Sequence, residues 1–90
     1  MQTIKLCDFG KSLGTRTLAR EIRNTILQHF SEPVVLDFSE VEIINNAFAD
    51  ELIGTYIRTF GFSSFKKNYK FSNTNDNVKA VIVNTIKQSI

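Results

Sequence analysis

Val34-Val35-Leu36-Asp37-Phe38 is a nearly unbroken apolar run held between Pro33 and Ser39, and it limits the folds open to the chain. Such a run reads as a strand buried on both faces, the pattern of a parallel sheet covered by helices. On either side the hydrophobic spacing changes to that of helices. Upstream, Leu18, Ile22, Ile26 and Phe30 recur every four residues after two candidate caps, Ser12 and Thr15. Arg16, Arg20 and Arg23 fall off that series and predict a basic outer face. Downstream, Asn45-Asn46 offers cap chemistry for a second helix with Phe48, Leu52, Tyr56 and Phe60 on its apolar side, stopped at Gly61.

Two further strands complete the pattern. Residues 3–9 carry Ile4, Leu6 and Phe9 in loose alternation up to Gly10, and residues 66–71 read as a short third strand. The polar turn 72–77 then caps a third helix bearing Val78, Val81, Ile82, Ile86 and Ile90. The order is βαβαβα, with no pair of strands close enough for a tight hairpin. That implies an α/β fold with a small, three-stranded, mostly parallel sheet joined by right-handed crossovers. Both outer strands would show unpaired backbone groups, which makes a homodimer through a sheet edge one expectation.

Ninety residues suffice for a single domain over 1–90, hiding roughly 64% of the surface of the unfolded chain. Eleven Lys and Arg against nine Asp and Glu leave a net charge of +2, far from the basic stripe of a nucleic-acid binder. The cluster Lys66, Lys67, Tyr69, Lys70 and Phe71 has the composition for phosphate pairing and base stacking. Edge lysines beside core aromatics explain it more simply, so nucleic acid is not an expected partner. Cys7, the single cysteine, suits a reducing cytoplasm. No apolar run reaches the length of a membrane span, and the start has neither the apolar core nor the cleavage pattern of a signal peptide.

In open α/β sheets ligands sit beyond the carboxyl ends of the strands, here residues 10–16, 39–48 and 72–77. Gly14-Thr15-Arg16 at a helix N-terminus is a candidate anion site, with Arg16 as the counter-charge. The alternative is that the glycine serves backbone geometry. Asp37 interrupts the most apolar stretch, so it needs donors or a cation. It reads either as a general base or metal ligand, or as an acceptor tying loops together with help from Ser39. No histidine or cysteine stands near it in sequence to complete a catalytic set. Metal-binding spacings, phosphate loops and nucleophile motifs are absent, so neither an enzyme nor a cofactor is expected.

The segment from Val34 to Leu52, an apolar strand ending in Leu-Asp-x-Ser-x-Val, then two apolar residues and a polar pair opening a helix, resembles the STAS domain of bacterial anti-sigma-factor antagonists. Phe48-Ala49-Asp50-Glu51, with the Gly-x-Arg turn at Gly14-Thr15-Arg16, is more similar to a STAS-like group of small bacterial and phage-borne proteins without an assigned function. This resemblance covers about residues 4–86 and implies a cytoplasmic signalling module that binds a protein partner. In antagonists a histidine-kinase-like ATPase phosphorylates a serine at the start of the second helix. Ala47 falls at that position here and has no hydroxyl, which implies that the switch is absent, although Ser39, Ser63 and Ser72 remain as hydroxyls elsewhere. The glycine that follows in antagonists is Phe48. The resemblance therefore points to docking through Asn45, Asn46, Ala47, Phe48, Asp50 and Glu51. The rival expectation is a small anion or nucleotide site built from Gly14, Thr15, Arg16, Asn46 and the helix N-termini around Asp37.

Overall fold

The structure, a computed structural model, describes residues 2–29 and 33–90. Its main sheet has the order β1-β3-β5, with β1 Gln2–Lys5, β3 Val34–Asp37 and β5 Tyr69–Ser72 all parallel. The apolar run is the central strand, as its composition requires. Helix α1 (Arg16–His29) links β1 to β3. A helix over residues 46–60, here α2, links β3 to β5, followed by α3 (Phe62–Asn68), while α4 (Asp76–Ser89) closes the chain. Phe30, expected on the first helix, lies outside the described residues. Among the described residues no helix is long and apolar enough to cross a membrane.

Among the described residues the sheet is covered on one side only, and β3 alternates buried and half-buried residues, which corrects the reading of β3 as buried on both faces. Ile4, Leu36 and Phe71 form one cross-strand row and Val34 pairs with Tyr69, and this side packs on Ile22, Ile26, Phe48 and Tyr56 in the core. The other side carries the rows Thr3-Val35-Lys70 and Lys5-Asp37-Ser72. Thr3, Lys5 and Lys70 are exposed there, and Val35, Asp37 and Ser72 half-buried. Strand periodicity therefore puts Asp37 on the open side of its strand and not in the core.

Three element boundaries also differ. The first strand ends at Lys5, and Leu6–Phe9 with Cys7 forms a single 3-10 turn that drives Leu6 into the core. Lys66 and Lys67 are helical, because Phe65, stacked on Phe62 three residues before it, anchors α3 against Tyr56 and Tyr69. The basic and aromatic cluster of 66–71 is thereby split between a helix and a strand. Phe60 and Ile90 are exposed at helix ends, at 58% and 70%, instead of completing apolar faces. Gly61, with φ of 92°, ends α2 in a conformation that a side chain disfavours.

One feature had no counterpart in the periodicity. Ser12–Leu13 (β2) pairs in parallel with Ile43–Ile44 (β4), so the loops after β1 and β3 are laced together. The carbonyl of Lys11 accepts the Glu42 amide at 2.9 Å, and that of Leu13 accepts the Asn45 amide at 3.3 Å. Leu13 and Ile44 are buried under this small sheet. Its consequence is that the starts of α1 and α2 lie side by side.

Candidate functional site

Both helix starts are set by side-chain caps. Thr15, not Ser12, caps α1, its hydroxyl accepting the Leu18 amide at 3.1 Å. Asn45 caps α2 through Oδ1, which accepts the Phe48 amide at 2.9 Å, while its Nδ2 donates to the Gly14 carbonyl at 2.8 Å. Asn45 thus joins Gly14-Thr15-Arg16 to the segment 45–51. The two candidate sites, written apart in sequence, occupy one place in the fold.

The arginines of α1 line this place: Arg16 and Arg20 stay about half exposed, as a basic outer face requires, and Arg23 alone of the three turns inward. The guanidinium of Arg16 donates to Asp50 at 2.7 Å, that of Arg23 to the Glu51 carboxylate and backbone carbonyl at 2.6 Å each, and that of Arg20 to Glu51 at 3.4 Å. Arg58, later in α2, donates to the other oxygen of Asp50 at 2.9 Å. Spacing explains the arrangement: Arg16, Arg20 and Arg23 repeat at four and three residues and so share one helix stripe.

Local backbone geometry turns both acids toward that stripe. Within α2, Asn46–Ala49 and Thr55–Phe60 are α-helical, and Asp50–Gly54 is a π turn in which the Thr55 amide reaches back five residues to the Asp50 carbonyl. The Thr55 hydroxyl donates to the same carbonyl at 3.3 Å and to Glu51 at 3.5 Å. Such π turns are rare and cluster at functional sites. Gly54 lies under the ion pairs. A Cβ there would come within 2.7 Å of an Asp50 carboxylate oxygen, 2.9 Å of the Arg58 guanidinium and 3.0 Å of the Ser89 hydroxyl. Only glycine leaves room for the Asp50, Arg58 and Ser89 side chains to meet here.

The electrostatics differ between the two acids. Glu51 is buried, and donation from Arg23, reinforced by the charge of Arg20, holds its carboxyl below the usual range despite the cost of burial. Asp50 is partly exposed and is held low by Arg16 first and then Arg58. Four guanidiniums meet two carboxylates, leaving two positive charges in surplus. Arg16, Arg20 and Arg58 are each about half exposed, so this surplus faces solvent.

Of the residues marked for docking, Asn45, Asn46, Ala47 and Asp50 are exposed or half-exposed around the cluster. Phe48 is fully buried and Glu51 nearly so; their places on the inner side of α2 turn them to the core and to Arg23, so neither offers a contact surface. Asp37 and Ser39 form a separate tie. Asp37 accepts from Asn73 and from the Ser39 amide, both at 2.9 Å, and these donors, Asn73 foremost, lower its pKa. Among the described residues no three His, Cys, Asp or Glu side chains converge as a metal site would require.

A parallel sheet with helices on one side, and a strand-to-helix unit that opens on an asparagine cap and an ion-paired acid, define a small α/β domain of STAS-like type. The chain belongs to the family of the STAS-like domain of unknown function (DUF4325), whose profile matches residues 19–79. No curated protein and no solved structure matches the chain. The matched stretch holds Arg20, Arg23, Asp50, Glu51, Gly54 and Arg58 but stops short of Arg16 and Ser89.

Proposed function

We propose that this STAS-like domain is a non-enzymatic docking module whose partner surface is formed by Asn46, Ala47, Asp50 and the exposed arginines Arg16, Arg20 and Arg58. The observation that carries this reading is the surplus of guanidinium on an exposed face held rigid by Asp50 and Glu51. Arginines fixed in advance lose little freedom on binding and still have donors to offer, which suits acidic side chains on a protein. The acids themselves argue for recognition over catalysis, since ion pairing makes Asp50, Glu51 and, by hydrogen bonds, Asp37 weak bases. Ala47 gives a kinase nothing to modify, so the docking is constitutive at this position. The resemblance to antagonists makes a histidine-kinase-like ATPase the first partner to try.

The test is affinity capture from the native host with the wild-type domain, Asn46→Arg and Asp50→Lys, each checked for native circular dichroism. A protein held by the wild type and lost from both variants supports this surface. An unchanged set of captured proteins overturns it. One observation favours a second reading: the Asn45 bond to Gly14 unites the anion-site turn with the second helix start. A thermal shift with inorganic phosphate or a nucleotide, abolished in Arg16→Ala, would favour that reading instead.

A further inference from the structure

The open edge at β5 stands apart from the α1–α2 surface. The Ser72 carbonyl faces β3, where it accepts the Phe38 amide at 2.9 Å. Successive residues of a strand turn their backbone groups to alternate sides, so the N–H and C=O of Phe71 point away from β3 to the outer edge of the sheet. Beside that edge is a cavity of about 230 Å³ lined by Phe71, Thr74, Lys79, Ile82, Val83 and Ile86. Phe71 therefore contributes both the open backbone and a wall of the cavity. Val83 is 42% exposed at its mouth.

The charges around this edge select the occupant. Lys79 is in the wall, Lys70 is exposed on β5 itself with its ammonium 3.2 Å from the Lys66 carbonyl and donors to spare, and Lys87 lies further along the outer face of α4. Asp76 near Lys87, and Asp37 already held by Asn73 and Ser39, are the acids beside them. A second copy docked by the same edge would bring a second set of these lysines to the seam, which like-charge repulsion opposes. We propose that the β5 edge binds an extended peptide segment of a partner protein in which apolar and acidic residues alternate. Its backbone pairs with the N–H and C=O of Phe71. Alternate side chains then fall on opposite sides of the extended sheet: the apolar ones enter the cavity toward Val83, and the acidic ones meet Lys70 on the open side.

The probes are an acetylated heptapeptide alternating Glu and Val and its counterpart alternating Lys and Val, followed by amide exchange and 15N NMR on the whole domain. With the Glu peptide, exchange at the Phe71 amide slows at least tenfold, while the Lys peptide leaves it unchanged. Val83→Glu weakens the Glu peptide at least tenfold, Lys70→Glu with Lys79→Glu transfers the preference to the Lys peptide, and Asn46→Arg has no effect. An unchanged Phe71 at millimolar peptide, equal response to both peptides, or indifference to Val83→Glu overturns the proposal. So does protection of Phe71 in the free protein that rises with protein concentration, which would assign the edge to a second copy.

Discussion

Arg58 follows Asp50 by eight residues, yet its guanidinium sits 2.9 Å from the Asp50 carboxylate. In an unbroken α-helix residues eight apart are rotated by about 80°, whereas seven apart they differ by only about 20°. The π turn absorbs one residue and so restores the alignment, and the arginine leans toward the helix start to close the gap. Gly54, midway between them, supplies the space. Gly54→Ala is therefore expected to hold its overall stability within about 1 kcal/mol, because better helix propensity offsets the crowding of three mobile side-chain ends. At the same time it separates Asp50 from Arg58, raising the Asp50 pKa toward the ordinary value in a 13C NMR titration. An unaltered Asp50 titration would show that the glycine is not what holds the pair.

The two acids are expected to fail in different ways. Glu51→Gln leaves the mostly buried Arg23 without its counter-charge, which costs about 2–3 kcal/mol. In a domain of this size that lowers Tm by more than about 10 °C. Asp50→Asn loses pairs to half-exposed arginines and costs under about 1 kcal/mol. Under the docking reading the order reverses for partner binding, where Asp50→Asn is the more damaging. Thermal unfolding and capture of the same partner on both variants check the two rankings together.

Acid should weaken the fold through these groups. Both carboxyls have folded pKa values below their unfolded ones, Asp50 through Arg16 and Arg58 and Glu51 chiefly through Arg23. A group with a lowered folded pKa stabilises when ionised, so its contribution is complete above the unfolded value near 4 and is lost as pH falls through the folded value. Asp37 acts in the same direction through Asn73 and Ser39. Tm is expected to be level above about pH 5 and to drop below about pH 4. In Glu51→Gln the curve starts lower at neutral pH and converges on the wild type in acid; parallel curves would exclude Glu51 from the acid response.

Much of the fold was legible because it rests on runs and caps. Val34–Phe38 marked the central strand, and Asn45 and Gly61 marked the ends of α2. The third strand was misplaced because Lys66 and Lys67 have no apolar period of their own; only the spacing of Phe62 and Phe65 discloses a helix. The π turn left no trace in the sequence: Phe48, Leu52 and Tyr56 step by four, as do Leu18, Ile22 and Ile26 in the unbroken α1. A charged stripe usually faces solvent, as Arg16 and Arg20 do; the inward turn of Arg23 is not legible because Glu51, the acid that draws it, lies more than twenty residues away in sequence. The two-residue pairing of β2 with β4, which brings them together, is too short for any periodicity to disclose.

Asn45 and Asn75 do the same work at two helix starts, and the comparison separates capping from loop tethering. Each Oδ1 accepts the amide three residues on, from Phe48 at 2.9 Å and Val78 at 2.8 Å. Each Nδ2 donates to a neighbouring loop: Asn45 to Gly14, and Asn75 to both Val41 and Glu42 at 3.1 and 3.0 Å. Alanine removes both functions, about 1 kcal/mol for the cap and about 1 for each tether. Asn45→Ala should therefore cost about 2 kcal/mol and Asn75→Ala about 3. Aspartate keeps the cap but sets a carboxylate against the loop carbonyls, so Asn45→Asp should fall between wild type and alanine in urea midpoint. If Asp proves as damaging as Ala at position 45, the tether to Gly14 outweighs the cap, and Asn45 acts chiefly by holding the Arg16 turn against α2.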